Sequence, residues 1–551
     1  MHPIIHTKLL TSLEKVFPHI CPKGTFTHMP SIFKNEAFSF QVAYTSESGN
    51  FGDYPVLSID IESPLKDFIS IKSVGLVPSE LPAPFHCDDD YLCTTPGLFP
   101  DPLLPLESLK VKVLPLQWRA LWIELKSTTD LLPGTHPISI YFKNKENEVV
   151  ASETLVFKII DAYLPKQRLI HTEWFHVDCL SNFYTTKVFS EKHWELIENF
   201  LHTASSHGMN MILTPLFTPP LDTEIGGERP TVQLIDVSIQ DGSYAFSFDK
   251  LDRWITTCQR VGIEYFEMSH LFTQWGATSI PKIMATVEGT YQKLFGWGDS
   301  ALDPRYKSFL EDFLPQLVTF ITSRGIRSCC YFHISDEPSL TQVDTYKKAK
   351  ALVKDILQDF PIIDALSNIE FYKSSAIDLP IPSNDHIGAF IDADVPNLWT
   401  YYCCAQYKKV SNRFMSMPSY RNRIIATQLF KYDIAGFLHW GYNFWNTQFS
   451  KKAIDPFKIT DAGQAFPSGD AFLVYPGNNE AIESIRLKVF AEALYDLRAM
   501  DLLATLTSKE YVMNLIEGDL LEPITFNQYP KSQDYILNLR FVINEHIIKH
   551  L

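Results

Sequence analysis

The sequence predicts a three-part α/β protein. It comprises an N-terminal β-sandwich over residues 1–165, a central (β/α)8 barrel over 166–455 and a mainly helical C-terminal appendage over 456–551. Three observations predict this. Short apolar–polar alternations fill the first part, apolar runs alternating with helical stretches fill the second, and long amphipathic stretches close the third.

In the first part SFQVAYTS (39–46), YPVLSIDIES (54–63), ALWIELKST (120–128), HPISIYFKN (136–144) and ETLVFKII (153–160) alternate apolar with polar residues between Pro, Gly and Asp signals. Such runs suit an antiparallel sandwich. The acidic stretch FHCDDDYLC (85–93) reads as a solvated turn, because no His or further Cys completes a metal-ligand set.

In the second part the spacing predicts strands at 168–175, 209–217, 262–272, 327–335, 362–369, 386–392, 398–405 and 435–445. Helical patterns lie between them at 190–208, 303–325 and 339–360. Eight such strands predict a barrel whose functional groups gather at the C-terminal strand ends. The loop 273–302 carries Trp275, Tyr291, Phe295 and Trp297 and reads as a binding loop or lid. EIGGERP (224–230) reads as a flexible loop near the barrel mouth, not a phosphate loop. Helical patterns recur at 480–506 and near residue 551.

The net charge of −16 argues against nucleic acid or an anionic membrane as partner, since both reward Lys and Arg. No run of about 18 apolar residues predicts a membrane span. The start, MHPIIHTKLLTSLEKVFPHI, does not read as a signal peptide, because Glu14 and Lys15 interrupt any apolar core. The nine cysteines are odd in number. Cys329–Cys330 and Cys403–Cys404 sit in apolar runs, where both members of a pair cannot point inward from one strand. They read as reduced core residues, and a cytoplasmic location is expected.

The chemistry concentrates at YFHISDEPSL (331–340), where Asp336 and Glu337 directly follow the fourth predicted strand. A helix cap is one reading of the pair and catalysis is the other. Close carboxylates resist joint ionisation, so one keeps a proton while its neighbour stays charged. Glycoside cleavage uses such a division, and adjacent residues suit it best when the substrate supplies the nucleophile.

Around the pair, Trp174, His176, Trp275, Tyr402, Trp440, Asn443 and Trp445 fall at strand ends or loop starts. Stacking rings with an amide or imidazole donor suit a sugar, and barrel core is the competing reading for each ring. His333 shares a strand face with Ser335, which admits either an interior histidine or a sugar donor. His171, His176, His270 and His439 raise a metal site, but HTEWFH puts its two histidines on opposite strand faces. No metal and no cofactor is expected.

HTEWFHVDCL (171–180), HLFTQWGA (270–277), YFHISDEP (331–338), LWTYYCC (398–404) and GFLHWGYNFW (436–445), with GDAFLVYPG (469–477), resemble one family. It is that of the glycoside hydrolase-like proteins related to glycoside hydrolase family 123. The resemblance implies a retaining β-N-acetylgalactosaminidase with substrate-assisted catalysis. Asp336 would orient and polarise the acetamido group, and Glu337 would be the general acid/base. The expected partner is an oligosaccharide or glycoconjugate substrate. A glycosidase for a sugar lacking the acetamido group and a non-catalytic carbohydrate-binding barrel are the alternatives.

Overall fold

The computed structural model describes residues 4–48, 54–126 and 131–551. Two five-stranded sheets form the first part. One orders Ile5–Thr11, Phe38–Ser46, Arg119–Leu125, Ile69–Ser79 and Gly97–Pro105; the other orders Ser31–Phe33, Val149–Ile160, Gly134–Lys143, Val56–Glu62 and Lys110–Lys112. Pairing is antiparallel except where Ser31–Phe33 runs parallel to the end of Val149–Ile160. The predicted run 120–128 ends outside the described residues at 127–128, and its described part is strand.

The first sheet is buried on both faces. Val42, Leu121 and Ile123 face the second sheet, while Ala43, Ala120 and Trp122 belong to the core shared with the rest of the chain. That double burial explains why Phe38–Ser46 and Arg119–Leu125 are buried almost throughout rather than alternately.

Eight parallel strands follow: β1 (Ile170–Glu173), β2 (Met211–Thr214), β3 (Tyr265–Met268), β4 (Cys330–Phe332), β5 (Ile363–Ala365), β6 (Leu379–Ile381), β7 (Trp399–Tyr401) and β8 (Gly436–His439). Six form one sheet in the order β4-β3-β2-β1-β8-β7, and β5 pairs with β6. Single parallel bridges at Phe332–Ile362 and Ser383–Tyr401 join the two sheets. Close packing sets one strand start: a Cβ on Gly436 would lie 2.1 Å from the Trp399 ring.

The sixth strand lies earlier than the spacing predicts. Residues 386–392 contain a single helical turn, Gly388–Ile391, in which Phe390 is buried, as is Ile387 at its cap three residues before. The strand is DLPIPS, whose prolines read as loop. Proline is tolerated there because the strand is three residues long and its missing N–H falls at a sheet margin.

Helices cover the strands. Glu191–Ser206 starts at Ser190, whose hydroxyl accepts from the His193 amide. Pro304–Ser323 starts with Asp303 as cap and Pro304 in the first turn. Its buried stripe of Tyr306, Phe309, Leu310, Phe313, Leu314 and Leu317 has the spacing of one helix face. The 273–302 loop is structured: Ile283–Val287 and Thr290–Phe295 form a hairpin that joins Asp236–Gln240 and Ser243–Ser247 in a four-stranded sheet.

The acidic stretch 85–93 is not simply solvated. Asp88 accepts two bonds from the Arg421 guanidinium at 2.8 and 2.9 Å, and Asp90 accepts from Tyr420, tying the first part to the helix Ser419–Arg423. A second tie is fully buried. Asp101 receives Arg486 at 2.9 Å through both Nε and Nη2, and Tyr475 donates to it at 2.6 Å. Arg486 opens the helix Ile485–Leu506 and also donates to the carbonyls of Gly469 and Phe472.

Asp101→Ala would leave this guanidinium buried and uncompensated. It should lower the free energy of unfolding by about 3–5 kcal/mol in urea titration. A change below about 1 kcal/mol would show that water or another carboxylate replaces the pair.

Candidate active site

At the C-terminal ends of the parallel strands lies a cavity of about 200 Å³. Trp174, Trp275, Asp336, Glu337, Tyr401 and Trp440 form its walls, with Asp222, Gln274, Cys403, Cys404 and Phe449 around them. Beyond β4 the chain is held by the segment beyond β3. Leu271, Phe272 and Trp275 donate their amides to the carbonyls of His333, Ile334 and Asp336 at 3.2, 3.1 and 2.8 Å.

The turn that presents the two carboxylates departs from ordinary backbone. Glu337 has φ +41° and Trp275 has φ +61°, a region that disfavours side chains with a Cβ. The Glu337 amide donates to the Ala365 carbonyl at 3.0 Å, fixing the pair over the end of β5. Neither carboxylate is the helix cap: Ser339 takes that position, and its amide donates to Gln342 Oε1 at 2.8 Å.

Asp336 is half-buried and Glu337 is exposed to the cavity. Burial first, and the adjacent Glu337 charge second, push the Asp336 carboxyl well above the usual carboxylate range. His333 pulls the other way but is outweighed. Glu337 Oε1 accepts from the Tyr401 hydroxyl at 2.6 Å, which fixes its rotamer.

Beneath the pair sits a buried ionic network. His333 lies between two carboxylates, with Nε2 2.6 Å from Glu267 and Nδ1 2.9 Å from Asp364. Glu267 also accepts from Trp174 Nε1 at 2.7 Å and from the Thr172 hydroxyl at 2.5 Å. Asp364 accepts from the Tyr346 hydroxyl at 2.5 Å and the Ile334 amide at 3.1 Å. Burial alone would lower the His333 pKa, but hydrogen bonds to Asp364 and Glu267 outweigh it and raise the value to about 10.

Beside this network, Glu173 at the end of β1 takes a bidentate contact from Arg413 at 2.5 and 2.7 Å. Burial would raise its pKa, and the Arg413 charge instead holds it well below the usual range.

His270 stacks on His333 with ring centroids 4.2 Å apart, and among the described residues neither of its nitrogens has a hydrogen-bond partner. His270, His333 and Asp364 bring ligand atoms within 4.8 Å of one another and could hold a metal ion. His333 already commits both nitrogens to carboxylates, so taking a metal would break an ion pair.

Of the ten predicted site residues, Asp336, Glu337, Trp174, Trp275 and Trp440 line the cavity. The other five do not. His333 is the interior ion-paired histidine just described. His176 is buried, with Nε2 2.9 Å from the Trp440 carbonyl and Nδ1 3.1 Å from Arg229, so it positions the Trp440 segment. Tyr402 points away from Tyr401 by strand alternation and packs on Phe437 and His439. The Asn443 amide exchanges hydrogen bonds with the His176 backbone at 2.8 and 3.1 Å. Trp445 is core between Phe183 and Phe200, its Nε1 donating to the Val474 carbonyl.

In the 273–302 loop Phe295 packs on Tyr306 and Phe309, and Trp275 alone of its four named rings lines the cavity. The 224–230 loop is pinned by Arg229, bidentate to Asp178.

Sequence reasoning missed Tyr401, Glu267, Asp364 and Asp222. Glu267 and Asp364 were signalled by single acids inside apolar strands, YFEM and IDA. Asp222 had no local signal. It reaches the cavity because its carboxylate accepts from the Phe449 amide at 2.9 Å and its own amide donates to Gln274 at 2.8 Å. Burial pushes it up to about 6.

His333 binds its proton more tightly folded than unfolded, so its contribution is complete below about pH 6.5. That contribution shrinks as pH rises and is lost above about 10. Urea titrations should show this loss between those limits, and His333→Gln should lack that slope while being less stable by about 3–5 kcal/mol at pH 6. Equal pH slopes in the two proteins would contradict the charged assignment.

Residues 174–503 match the family model described as glycoside hydrolase 123, catalytic domain. No curated protein matches the chain. Among solved structures, a family 123 glycoside hydrolase from Clostridium perfringens, analysed for glycolipid glycan hydrolysis, is similar over 99% of this chain and 97% of that one. It has a TM-score of 0.73 and 16% identity. An endo-β-1,4-mannanase from Thermotoga petrophila aligns over 61% of this chain and 77% of that one, at TM-score 0.35 and 12% identity. A family match that spans the cavity, both carboxylates and more than half of the chain places this protein in glycoside hydrolase family 123.

Proposed function

We propose that the protein cleaves a terminal β-linked N-acetylhexosamine, with N-acetylgalactosamine favoured by the resemblance, through a retaining, substrate-assisted mechanism. The carrying observation is the adjacent Asp336–Glu337 pair in an aromatic-walled cavity. Two neighbours on one turn cannot flank a sugar ring as acid and attacking nucleophile, but they can serve as acid and orienter when the substrate's own acetamido group attacks. The eight parallel strands read as one (β/α)8 barrel, supported by the bridges that join β5–β6 to β4 and β7. We retain the divisions near 165 and 455, with the helix Ile485–Leu506 packed against the barrel helices.

In this mechanism the acetamido carbonyl oxygen attacks C1 as the C1–O glycosidic bond breaks. Glu337 gives its proton to the departing oxygen, and Asp336 accepts a hydrogen bond from the acetamido N–H. The resulting oxazolinium ion is opened by water, whose proton returns to Glu337.

Burial and the adjacent Glu337 charge favour the protonated form of Asp336 in the free site. An arriving N–H donor stabilises the Asp336 carboxylate, the form that can accept its hydrogen bond. Tyr401 holds Glu337, and Trp174, Trp275 and Trp440 offer faces to the sugar. The substrate is an oligosaccharide or glycoconjugate, a class also named for the Clostridium perfringens protein. No described helix is long and apolar enough to cross a membrane.

Asp222 favours a second reading. A half-buried third carboxylate on the cavity wall could serve a glycosidase whose nucleophile comes from the protein. A thiazoline analogue of the N-acetylhexosamine separates the two, inhibiting the substrate-assisted enzyme strongly and the other hardly at all.

With an aryl β-N-acetylgalactosaminide, Glu337→Gln and Asp336→Asn should each lower kcat by about 100-fold or more. Hydrolysis unchanged by both would remove the pair from catalysis. A wild type that cleaves no glycoside would favour the carbohydrate-binding alternative.

A further inference from the structure

Cys403 and Cys404 pack against the core but are only partly buried. Both line the cavity that holds Asp336 and Glu337. Successive residues of an extended strand point to opposite faces, but β7 ends at Tyr401 and Cys404 begins a turn, which brings both side chains to the cavity. The two thiols are neighbours in the chain and open on the same cavity. The Cys403 amide and thiol both donate to Gln406 Oε1, at 3.0 and 3.2 Å, which anchors this corner. Among the other cysteines, Cys179, Cys258 and Cys330 are buried elsewhere, and Cys21, Cys87, Cys93 and Cys329 lie outside the cavity. The mechanism above uses neither sulfur.

We propose that Cys403 and Cys404 form a dithiol site for a thiophilic electrophile that bonds two sulfurs at once, a trivalent arsenical, and that its occupant closes the sugar cavity. The second half rests on the glycosidase reading; the first half does not. With an organoarsenic(III) oxide, two S–H bonds and the As=O bond break and two As–S bonds form. Both thiol protons leave with the oxygen as water, and arsenic stays trivalent, so no oxidant or reductant is needed.

Two sulfurs on one cavity favour this class over simple alkylating agents, which use one sulfur each. Its neighbour Cys404 first, and burial second, push the Cys403 thiol well above its usual range. The second As–S bond is intramolecular, so a two-sulfur site holds the group far better than one sulfur.

The test treats the full chain with phenylarsine oxide and reads intact mass and hydrolysis of an aryl β-N-acetylgalactosaminide. The expected result is one arsenical retained per chain with loss of one water, and hydrolysis suppressed. 2,3-Dimercaptopropanol should reverse both, and 2-mercaptoethanol should not. Cys403→Ser and Cys404→Ser, each checked for folding by circular dichroism, should weaken retention by about 100-fold or more. Cys329→Ser should behave as wild type. Retention in the Cys403→Ser/Cys404→Ser protein, reversal by the monothiol, or full hydrolysis by the loaded enzyme would each overturn the proposal. If the wild type cleaves no glycoside yet the adduct maps to this pair, the dithiol site stands and the glycosidase reading fails.

Discussion

The site depends on one buried cation. His333 is clamped between Glu267 on β3 and Asp364 on β5, and both carboxylates are fully buried. Each would be costly to bury without a partner. Together with Thr172 and Trp174, which donate to Glu267, the clamp joins β1, β3, β4 and β5 at the level just below the cavity floor. It also places positive charge under Asp336, where burial and Glu337 both oppose ionisation. A neutral residue at 333 would leave three or four carboxylates crowded with no nearby compensation on that side.

The remaining supports extend this frame outward. Arg413 neutralises Glu173 at the end of β1, and Arg229 neutralises Asp178 behind His176 and Trp440. The first β part contributes through Asp101, which receives Arg486 from the helix after β8, and Asp88, which receives Arg421 from the connection between β7 and β8. Lys15 adds three donations to the carbonyls of Phe414, Met415 and Met417. The chain next to Arg413 is thus held from the sandwich side as well as from the parallel strands. A rigid frame matters here because Glu337 and Trp275 occupy unfavourable backbone regions that only surrounding contacts can maintain.

Much of this was legible in the sequence, within physical limits. Seven of the eight parallel strands fall inside their predicted runs, because buried parallel strands are continuous apolar segments. The sixth was hidden by Pro380 and Pro382, and a neighbouring apolar run folded as a helical turn instead. Asp336 and Glu337 stood out because charge interrupts an apolar run. The ring positions were legible only to within one residue. Tyr401 reaches Glu337 while Tyr402 is core, a difference set by strand parity and an end point that the text does not mark. Asn443 and Trp445 follow β8 but fold back into the interior. Asp222 and the paired thiols enter through loop geometry, which depends on contacts distant in sequence.

Substrate-assisted catalysis leaves a stereochemical signature that a single direct attack by water does not share. Proton NMR of the sugar first released from an aryl β-N-acetylgalactosaminide, recorded before mutarotation, reads it directly. The account predicts that the β-anomer appears first, because attack by the acetamido oxygen and then by water inverts C1 twice. Initial release of the α-anomer would require one direct attack by water and would contradict the assignment of Asp336 and Glu337 as orienter and acid.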